Sequence, residues 1–370
     1  MNIAVKIPFY AKVALVFVAI FAFVFTLYIG GGIMIPIVFA TITAILLNPF
    51  VNYLMRKKVN RLIAISLAVI IAILVVIGIF YVVSAQVTMF SETYPRLKVK
   101  FNISSSEFLN WVSVKFKIRH STIDAWISET ENNAINKFAI GEKISAVGRI
   151  VITVMLLPVY LFMILYYKTL LLEFIRKLFR TEHHIAVAEV LMSIKRIIQA
   201  YLVGLFFEMI IIAILNSVGL LLLGIDYAII LGITGAILNV IPYIGGIIAI
   251  ALPMIIAYVT KDSVTSALLV FLVYMVIQFI DNHYIIPRIV ASRVKINALM
   301  SVIVVLIGGA LWGIPGMFLS IPLTAIIKVI FDHIESLKPW GFLLGNIVPT
   351  TSRFRFIKPR TMIKSSSDSK

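Results

Sequence analysis

Residues 62–85 form the segment that decides the fold class. Their sequence is LIAISLAVIIAILVVIGIFYVVSA, 24 residues without a charged side chain. A helix needs about 20 mostly apolar residues to cross the roughly 30 Å hydrocarbon core of a bilayer, so this segment predicts a transmembrane helix. The whole chain agrees, because 61% of its 370 residues are hydrophobic and only 13% are charged, whereas about a quarter of a soluble domain is charged.

Apolar segments of similar length lie on both sides of this one. The sequence predicts six full spans, at residues 13–29, 33–54, 62–85, 150–167, 197–223 and 264–286. Between the third and fourth spans, at residues 86–148, Lys, Glu, Asn and Ser recur every few positions and the apolar residues fall to helical spacing. We expect a small helical insert there, outside the membrane. The predicted fold class is therefore an all-α polytopic membrane protein.

Two further apolar stretches, residues 227–260 and 298–330, are each too long for one straight helix. The first is interrupted by NVIPYIGG at 239–246 and the second by GGALWGIPG at 308–316. Proline removes a backbone donor and glycine lets the chain reverse, so both stretches predict helix–turn–helix hairpins that enter the membrane and return. The alternative is that these residues only kink helices and let them pack closely. The residues that would form the turns or gates are Pro242, Gly245, Gly246, Gly308, Gly309, Gly313, Pro315, Gly316 and Pro322.

The basic residues predict the topology. The formal net charge is +17, and 23 of the 33 Lys and Arg fall on one side if both termini are cytoplasmic, as the positive-inside rule requires. The charge is thus a topology signal, and nucleic-acid binding is not expected. On this topology residues 197–260 and 264–330 have opposite orientations, and such an inverted repeat with broken helices is typical of secondary transporters.

These features divide the chain into five predicted regions. They are three N-terminal spans (1–85), an extracytoplasmic helical insert (86–148), the fourth span with a cytoplasmic connector (149–196), a transport core with two hairpins (197–330) and a basic cytoplasmic tail (331–370).

Ionisable residues inside the apolar segments are candidate transport residues, because a charge in a membrane is costly unless it is paired, titrated or hydrated. Glu208 lies in an otherwise almost entirely apolar run. It is a candidate protonatable coupling site, and the alternative is a structural ion pair or a hydrogen bond between protomers. Asp281 and Asn282 are candidates for the translocation path, and the alternative is a solvated cytoplasmic rim. Asn239 belongs to the first turn, whose freed backbone groups need partners at membrane depth.

Enzyme chemistry has little support in the sequence. There is no cysteine, no phosphate-binding loop and no Ser-His-Asp arrangement at usable spacing. The adjacent His183 and His184 would point about 100° apart on a helix, which is a poor metal-binding geometry without a third ligand. We therefore expect no enzymatic activity, no cofactor and no metal site.

Three linked motifs resemble the autoinducer-2 exporter (AI-2E) family. They are the turn at 239–246, the run QFIDN at 278–282 followed by IPRIV at 286–290, and the Gly-rich break at 308–317 followed by IPL at 321–323. The family's turn motif falls on Pro242 and Gly245, and its polar signature falls on Gln278, Asp281, Pro287 and Arg288. The strong resemblance covers about residues 197–328. Many members carry a glutamine shortly after the glycine that corresponds to Gly204, where this chain has Leu205, Phe206 and then Glu208.

The resemblance implies a multi-pass transporter of the bacterial inner membrane that assembles as a homo-oligomer, a pentamer. It implies export of a small polar solute such as autoinducer-2 by alternating access. An alternative on the same scaffold is a sodium (lithium)/proton antiporter, and a second alternative is a membrane scaffold without transport activity. The expected partners are lipid, a small polar solute and monovalent cations or protons.

Overall fold

The protein is a bundle of helices in a computed structural model that describes residues 8–116, 140–242, 244–261, 263–291 and 294–346. Short 3-10 turns at Thr181–His183 and Glu335–Leu337 precede two of the helices. In chain order the α-helices are α1 (Phe9–Ile29), α2 (Gly31–Arg56), α3 (Arg61–Phe116), α4 (Ile140–Leu178), α5 (His184–Leu222), α6 (Ala228–Asn239), α7 (Ile244–Lys261), α8 (Val264–Ile280), α9 (Ala298–His333) and α10 (Lys338–Leu344).

Within the described ranges, seven helical segments are long and apolar enough to cross a membrane. Their outward faces are apolar: α1 buries no residue, and its Phe17, Phe21 and Phe25 are all more than half exposed. An aqueous surface does not tolerate so much exposed apolar area, whereas lipid does. The prediction of an all-α polytopic membrane protein is confirmed.

The first packing unit joins α2, α3 and α4. Its buried centre contains Ala40 and Ala44 from α2, Ala64 and Ala68 from α3, and Leu161 from α4. Small side chains let membrane helices approach each other closely, which explains why alanine dominates this core. Helices α3 and α4 continue well beyond the apolar segments, so they cross the predicted region boundaries at 85 and 148. The middle of the predicted insert, residues 117–139, lies outside the described residues, as does the tail from 347.

The second packing unit is built on α5. Its buried residues recur every three or four positions, which places them on one helical face. That face packs against α6, α8 and the segment that follows α8, while Leu220 joins a core with Leu231 of α6 and Ile256 of α7. The buried positions of α5 are Ile198, Tyr201, Gly204, Glu208, Ile212, Asn216, Gly219 and Leu220.

Helix α8 does not end as an α-helix. Residues Asp281–Ala291 continue it as a π-helical segment that contains Pro287. π-Helical turns are wider than α-helical ones and often occur at functional sites. The change of helix type begins at Asp281, one of the candidate transport residues.

The chain reverses within α9. Gly313 has φ 63° and ψ −143°, a backbone conformation that is open mainly to glycine. A Cβ on Gly308 would lie 2.5 Å from the carbonyl oxygen of Gly316, although residues eight apart in a straight helix are about 12 Å apart. The two arms of α9 therefore lie against each other.

The ends of α9 are also close together. The Asn297 side chain donates hydrogen bonds to the carbonyl oxygens of Leu343 (2.7 Å) and Gly345 (2.9 Å), at the C-terminal end of α10. Because only a short connection separates His333 from α10, the chain enters and leaves α9 at the same end of the bundle. Helices α6 and α7 also pack on each other as the two arms of a hairpin, and residues 240–243 connect them in the chain.

Candidate functional site

Asp281 is the centre of the candidate site. It is fully buried, and the side-chain amide of Asn239 donates a hydrogen bond of 2.9 Å to its Oδ2 atom. Its second oxygen, Oδ1, has no hydrogen-bond partner within the described ranges. Asn239 is the last residue of α6, so this bond ties the α6–α7 turn to the point where α8 becomes π-helical.

Two glycines bring this turn close to its neighbours. A Cβ on Gly246 would lie 3.5 Å from Gln278 Oε1 and 3.6 Å from Asn239 Oδ1. A Cβ on Gly245 would overlap the carbonyl oxygen of Leu238. The turn therefore requires glycine at position 245, whereas a Cβ on Gly246 would make ordinary van der Waals contacts. The turn brings Asn239, Gln278 and Asp281 together.

Glu208, on α5, is the fourth member of this group. It is 6% exposed, on the buried face of α5 that packs against the π-helical segment. It interacts electrostatically with Asp281 and with Tyr201, which lies two turns earlier on the same face. We call Glu208, Asn239, Gln278 and Asp281 the acidic site.

The charge balance of the acidic site is unusual. Among the described residues, no basic side chain forms an ion pair with Glu208 or Asp281. Two buried carboxylates without a cation repel each other and lose hydration, and a proton or a bound cation removes this cost. The arrangement is therefore suited to holding a proton or a small cation.

Other candidates from the sequence lie outside this group. Asn282 and Pro287 are exposed although Asp281 is buried. The Arg288 guanidinium lies 5.9 Å from the ring centre of Tyr284, and Asp281 bonds Asn239 rather than Arg288. The seven-residue spacing would align Asp281 and Arg288 on an α-helix, but the π-helical segment turns by a different angle per residue.

The Gly-rich turn of α9 packs elsewhere. The indole nitrogen of Trp312 donates a hydrogen bond of 2.9 Å to the carbonyl oxygen of Leu27, at the junction of α1 and α2. A Cβ on Gly31 would lie 3.2 Å from the Trp312 ring. Thus this turn lies against α1 and α2, whereas the α6–α7 turn belongs to the acidic site. Along the two arms of α9, Gly308 packs on Gly316 and Gly309 packs on Met317. Pro322 is buried, and Pro315 follows the reversal at Gly313.

A second polar group lies further along the same helices and was missed by the sequence analysis. Thr234 Oγ1 donates to Gln86 Oε1 at 3.2 Å. A Cβ on Gly235 would lie 3.3 Å from Asn216 Nδ2 and 3.4 Å from Tyr274 Oη, so both side chains lie close to Gly235, the residue after Thr234. We call Gln86, Asn216, Thr234 and Tyr274 the neutral cluster.

The neutral cluster has unused hydrogen-bonding capacity. Its four residues are at most 7% exposed, yet Gln86 Nε2, Asn216 Oδ1 and Tyr274 Oη have no hydrogen-bond partner in the part of the chain that the structure describes. Most buried polar atoms in proteins are hydrogen-bonded. The available signal in the sequence was a single polar residue in each of several apolar runs, which does not reveal that the fold places these residues around Thr234 and Gly235.

The two groups follow each other along shared helices. Gly235 and Tyr274 each precede an acidic-site residue, Asn239 and Gln278, by four positions, and Asn216 follows Glu208 by eight. These spacings correspond to about 6 Å and 12 Å along a helix. Because α6 begins at the end of the bundle predicted to be outside, the neutral cluster lies between the acidic site and that end.

Comparison with known proteins identifies the family of the chain. A family model described as "AI-2E family transporter" matches residues 15–336. The chain belongs to the AI-2E transporter family. Relatives include "Putative transport protein YueF" of Bacillus subtilis, 26% identical over 88% of this chain and 89% of that protein. Another is "AI-2 transport protein TqsA" of Escherichia coli, 24% identical over 86% of this chain and 91% of that protein.

These comparisons support a membrane transport function, because the family and its relatives bear the names of transporters rather than enzymes. In the described part of the chain, no group of three His, Asp or Glu side chains is arranged to hold a metal ion.

Proposed function

We propose that this protein is a secondary transporter that exports a small polar solute, such as autoinducer-2, across the bacterial cytoplasmic membrane by alternating access. The observation that carries the proposal is the acidic site, in which a broken membrane helix ends against buried carboxyl groups. Polar groups at the breaks of membrane helices are the usual substrate and ion sites of secondary transporters.

The Asn239–Asp281 hydrogen bond suggests how access alternates. It joins the α6–α7 turn to the end of α8, so protonation or ion binding at Asp281 weakens the attachment of the turn. The turn then moves away from α8 and opens a path past Gln278. In this scheme the neutral cluster offers donors and acceptors to the solute on its way to the outside.

The topology completes this scheme. Both termini are cytoplasmic, the two hairpins enter from opposite sides, and residues 197–260 and 264–330 form an inverted repeat. The turn of α9 and the α6–α7 turn pack at different places, as two oppositely directed hairpins require. Gating at the second hairpin uses the glycines from Gly308 to Gly316, and the transporter assembles as a homo-oligomer.

A sodium (lithium)/proton antiporter is the second candidate function. It is favoured by one observation, the two interacting carboxyl groups that have no basic ion-pair partner among the residues the structure describes. Such a pair can exchange a proton for a monovalent cation with no organic solute. The neutral cluster then carries water rather than solute.

The deciding experiment measures flux in proteoliposomes of known orientation. A pH-sensitive dye records proton movement when sodium or lithium is added, and mass spectrometry records autoinducer-2 movement in separate vesicles. Glu208→Gln is compared with Glu189→Gln, an exposed position on the same helix. We expect saturable, gradient-dependent solute flux that is lost in Glu208→Gln and kept in Glu189→Gln.

Other outcomes select other functions. A sodium-dependent proton signal without solute flux, lost only in Glu208→Gln, makes the protein an antiporter. Equal flux in both variants removes Glu208 from the mechanism. If folded, assembled protein gives neither signal, the transport proposal is wrong and the non-transporting scaffold is favoured.

A further inference from the structure

A cavity of about 580 Å³ lies between α2, α4 and α5, and it shares no lining residue with the acidic site. This volume is typical of sites that bind small molecules, which are mostly apolar with a few polar groups. Its apolar lining includes Ala44 and Ile45 of α2, Ile164 and Leu165 of α4, and Leu191 and Met192 of α5.

The polar lining of the cavity is strongly basic. It includes Lys168 and Arg176 of α4 and Lys195 of α5, and its one carboxylate, Glu173, is paired with Arg176 at 2.6 Å. Lys168 is electrostatically coupled to both Lys195 and Arg61, which are like charges. Neither Lys168 nor Lys195 forms an ion pair with a carboxylate in the part of the chain that the structure describes.

Lys168 is held in place by its surroundings. Its Nζ atom donates a hydrogen bond of 2.9 Å to Oδ1 of Asn48, which is 6% exposed. On the same side of the bundle, Arg61 donates to the carbonyl oxygen of Tyr166, and its guanidinium lies 5.3 Å from the centre of the Tyr166 ring. The like charges are thus kept close together, and an anion would relieve their repulsion.

Lys195 also lines a second cavity. This cavity, of about 540 Å³, is lined by Arg196, Gln199, Pro49 and Met192 among others. Gln199 fixes its wall by donating a hydrogen bond of 2.6 Å to the carbonyl oxygen of Ile45. Lys195 and Met192 therefore stand between two adjoining cavities, and the basic region extends from Lys168 to Arg196.

We propose that these adjoining cavities bind an anionic phospholipid, with its phosphate at Lys168 and Lys195 and its upper acyl chain against the apolar wall. Basic pockets between membrane helices on the cytoplasmic side are suited to anionic headgroups, and this end of the bundle is the one predicted to be cytoplasmic. Along α4 the lining changes from Ile164 and Leu165 to Lys168 one turn later, which matches the order of acyl chain and headgroup in a lipid. A soluble phosphate would use the lysines but not the apolar wall.

The test measures binding of phosphatidylglycerol to the purified full chain by native mass spectrometry, with phosphatidylcholine as the neutral comparison. Each lysine near an anionic surface contributes about 1 kcal/mol, so Lys168→Gln/Lys195→Gln should weaken phosphatidylglycerol binding roughly tenfold to thirtyfold. The matched control is Lys177→Gln/Arg180→Gln, which removes two exposed charges that do not line either cavity. It should leave binding unchanged.

A second variant keeps all charges and places a larger side chain in the space beside the apolar wall. Met192→Trp at a 57% exposed position should also weaken binding, and helical content by circular dichroism establishes that each variant is folded. Equal loss in both charge pairs, or equal binding of phosphatidylcholine, overturns the proposal. Competition by inorganic phosphate or glycerol phosphate at comparable concentration also overturns it, in favour of a soluble anion. None of these readouts depends on transport.

Discussion

The acidic site and the neutral cluster share helices α5, α6 and α8, to which the neutral cluster adds Gln86 of α3, and they differ in chemistry. The acidic site contains two buried carboxyl groups and a hydrogen bond from Asn239 to Asp281. The neutral cluster contains amides and hydroxyls, and three of their atoms lack hydrogen-bond partners in the described part of the chain. Amides and hydroxyls bond uncharged groups, whereas carboxylates bind cations and protons. One helical framework can thus separate the handling of ions from contact with a solute.

Gly245→Leu should have the largest effect, because it disturbs the turn on which the acidic site depends. A side chain at this position collides with the carbonyl oxygen of Leu238, so the turn must shift and Asn239 loses Asp281. We expect solute flux and ion-dependent proton flux to fall at least tenfold in proteoliposomes while assembly is retained. Gly32→Leu is the control, since no atom lies within 4 Å of its added Cβ. Normal flux in Gly245→Leu would remove the turn from the gate.

Asp281→Asn and Asn216→Leu should separate the two groups. The first removes a carboxylate, and we expect it to lower sodium-dependent proton movement at least tenfold. The second replaces the neutral polar side chain of Asn216 with an apolar one of similar size. We expect it to lower solute flux severalfold while ion-dependent proton movement stays within twofold. The dye and mass-spectrometric assays measure both quantities in each variant. If both variants lower both fluxes equally, the division between ion and solute handling is wrong.

Asn239→Leu should change stability more than any neutral-cluster substitution. It leaves both oxygens of a fully buried carboxyl group without a partner, which costs about 1–3 kcal/mol. Chemical unfolding in detergent should show a decrease of that size in the free energy of unfolding. The double variant Asn239→Leu/Asp281→Leu should recover part of it, and strict additivity of the two losses would argue against a direct interaction.

Tyr274→Phe should have the smallest effect on stability. Its hydroxyl is buried and has no hydrogen-bond partner among the described residues, so removing it should change the free energy of unfolding by less than about 0.5 kcal/mol or increase it. The same unfolding assay measures this change. A loss above about 1 kcal/mol would mean that the hydroxyl has a structural partner, and it would weaken the contrast with Asn239.

Apolar length was sufficient to predict the class of fold, and a carboxyl group in an apolar run was sufficient to single out Glu208. They could not predict which buried faces meet. Asn239 and Asp281 are 42 positions apart, and Gln86 and Thr234 are 148 apart, so their contacts depend on how the helices pack. The adjacent residues Asp281 and Asn282 looked equivalent in sequence, and only the packing of the π-helical segment separates a buried carboxyl group from an exposed amide.

The hydrogen bond between Trp312 and Leu27 has a consequence for biosynthesis. It joins positions 285 residues apart, so it forms only after most of the chain has left the ribosome. Until then α1, which buries none of its own residues, has only α2 beside it in the lipid. Helix α1 thus gains this contact only when the α9 hairpin arrives, and a truncated chain that ends before Trp312 leaves α1 without this late attachment.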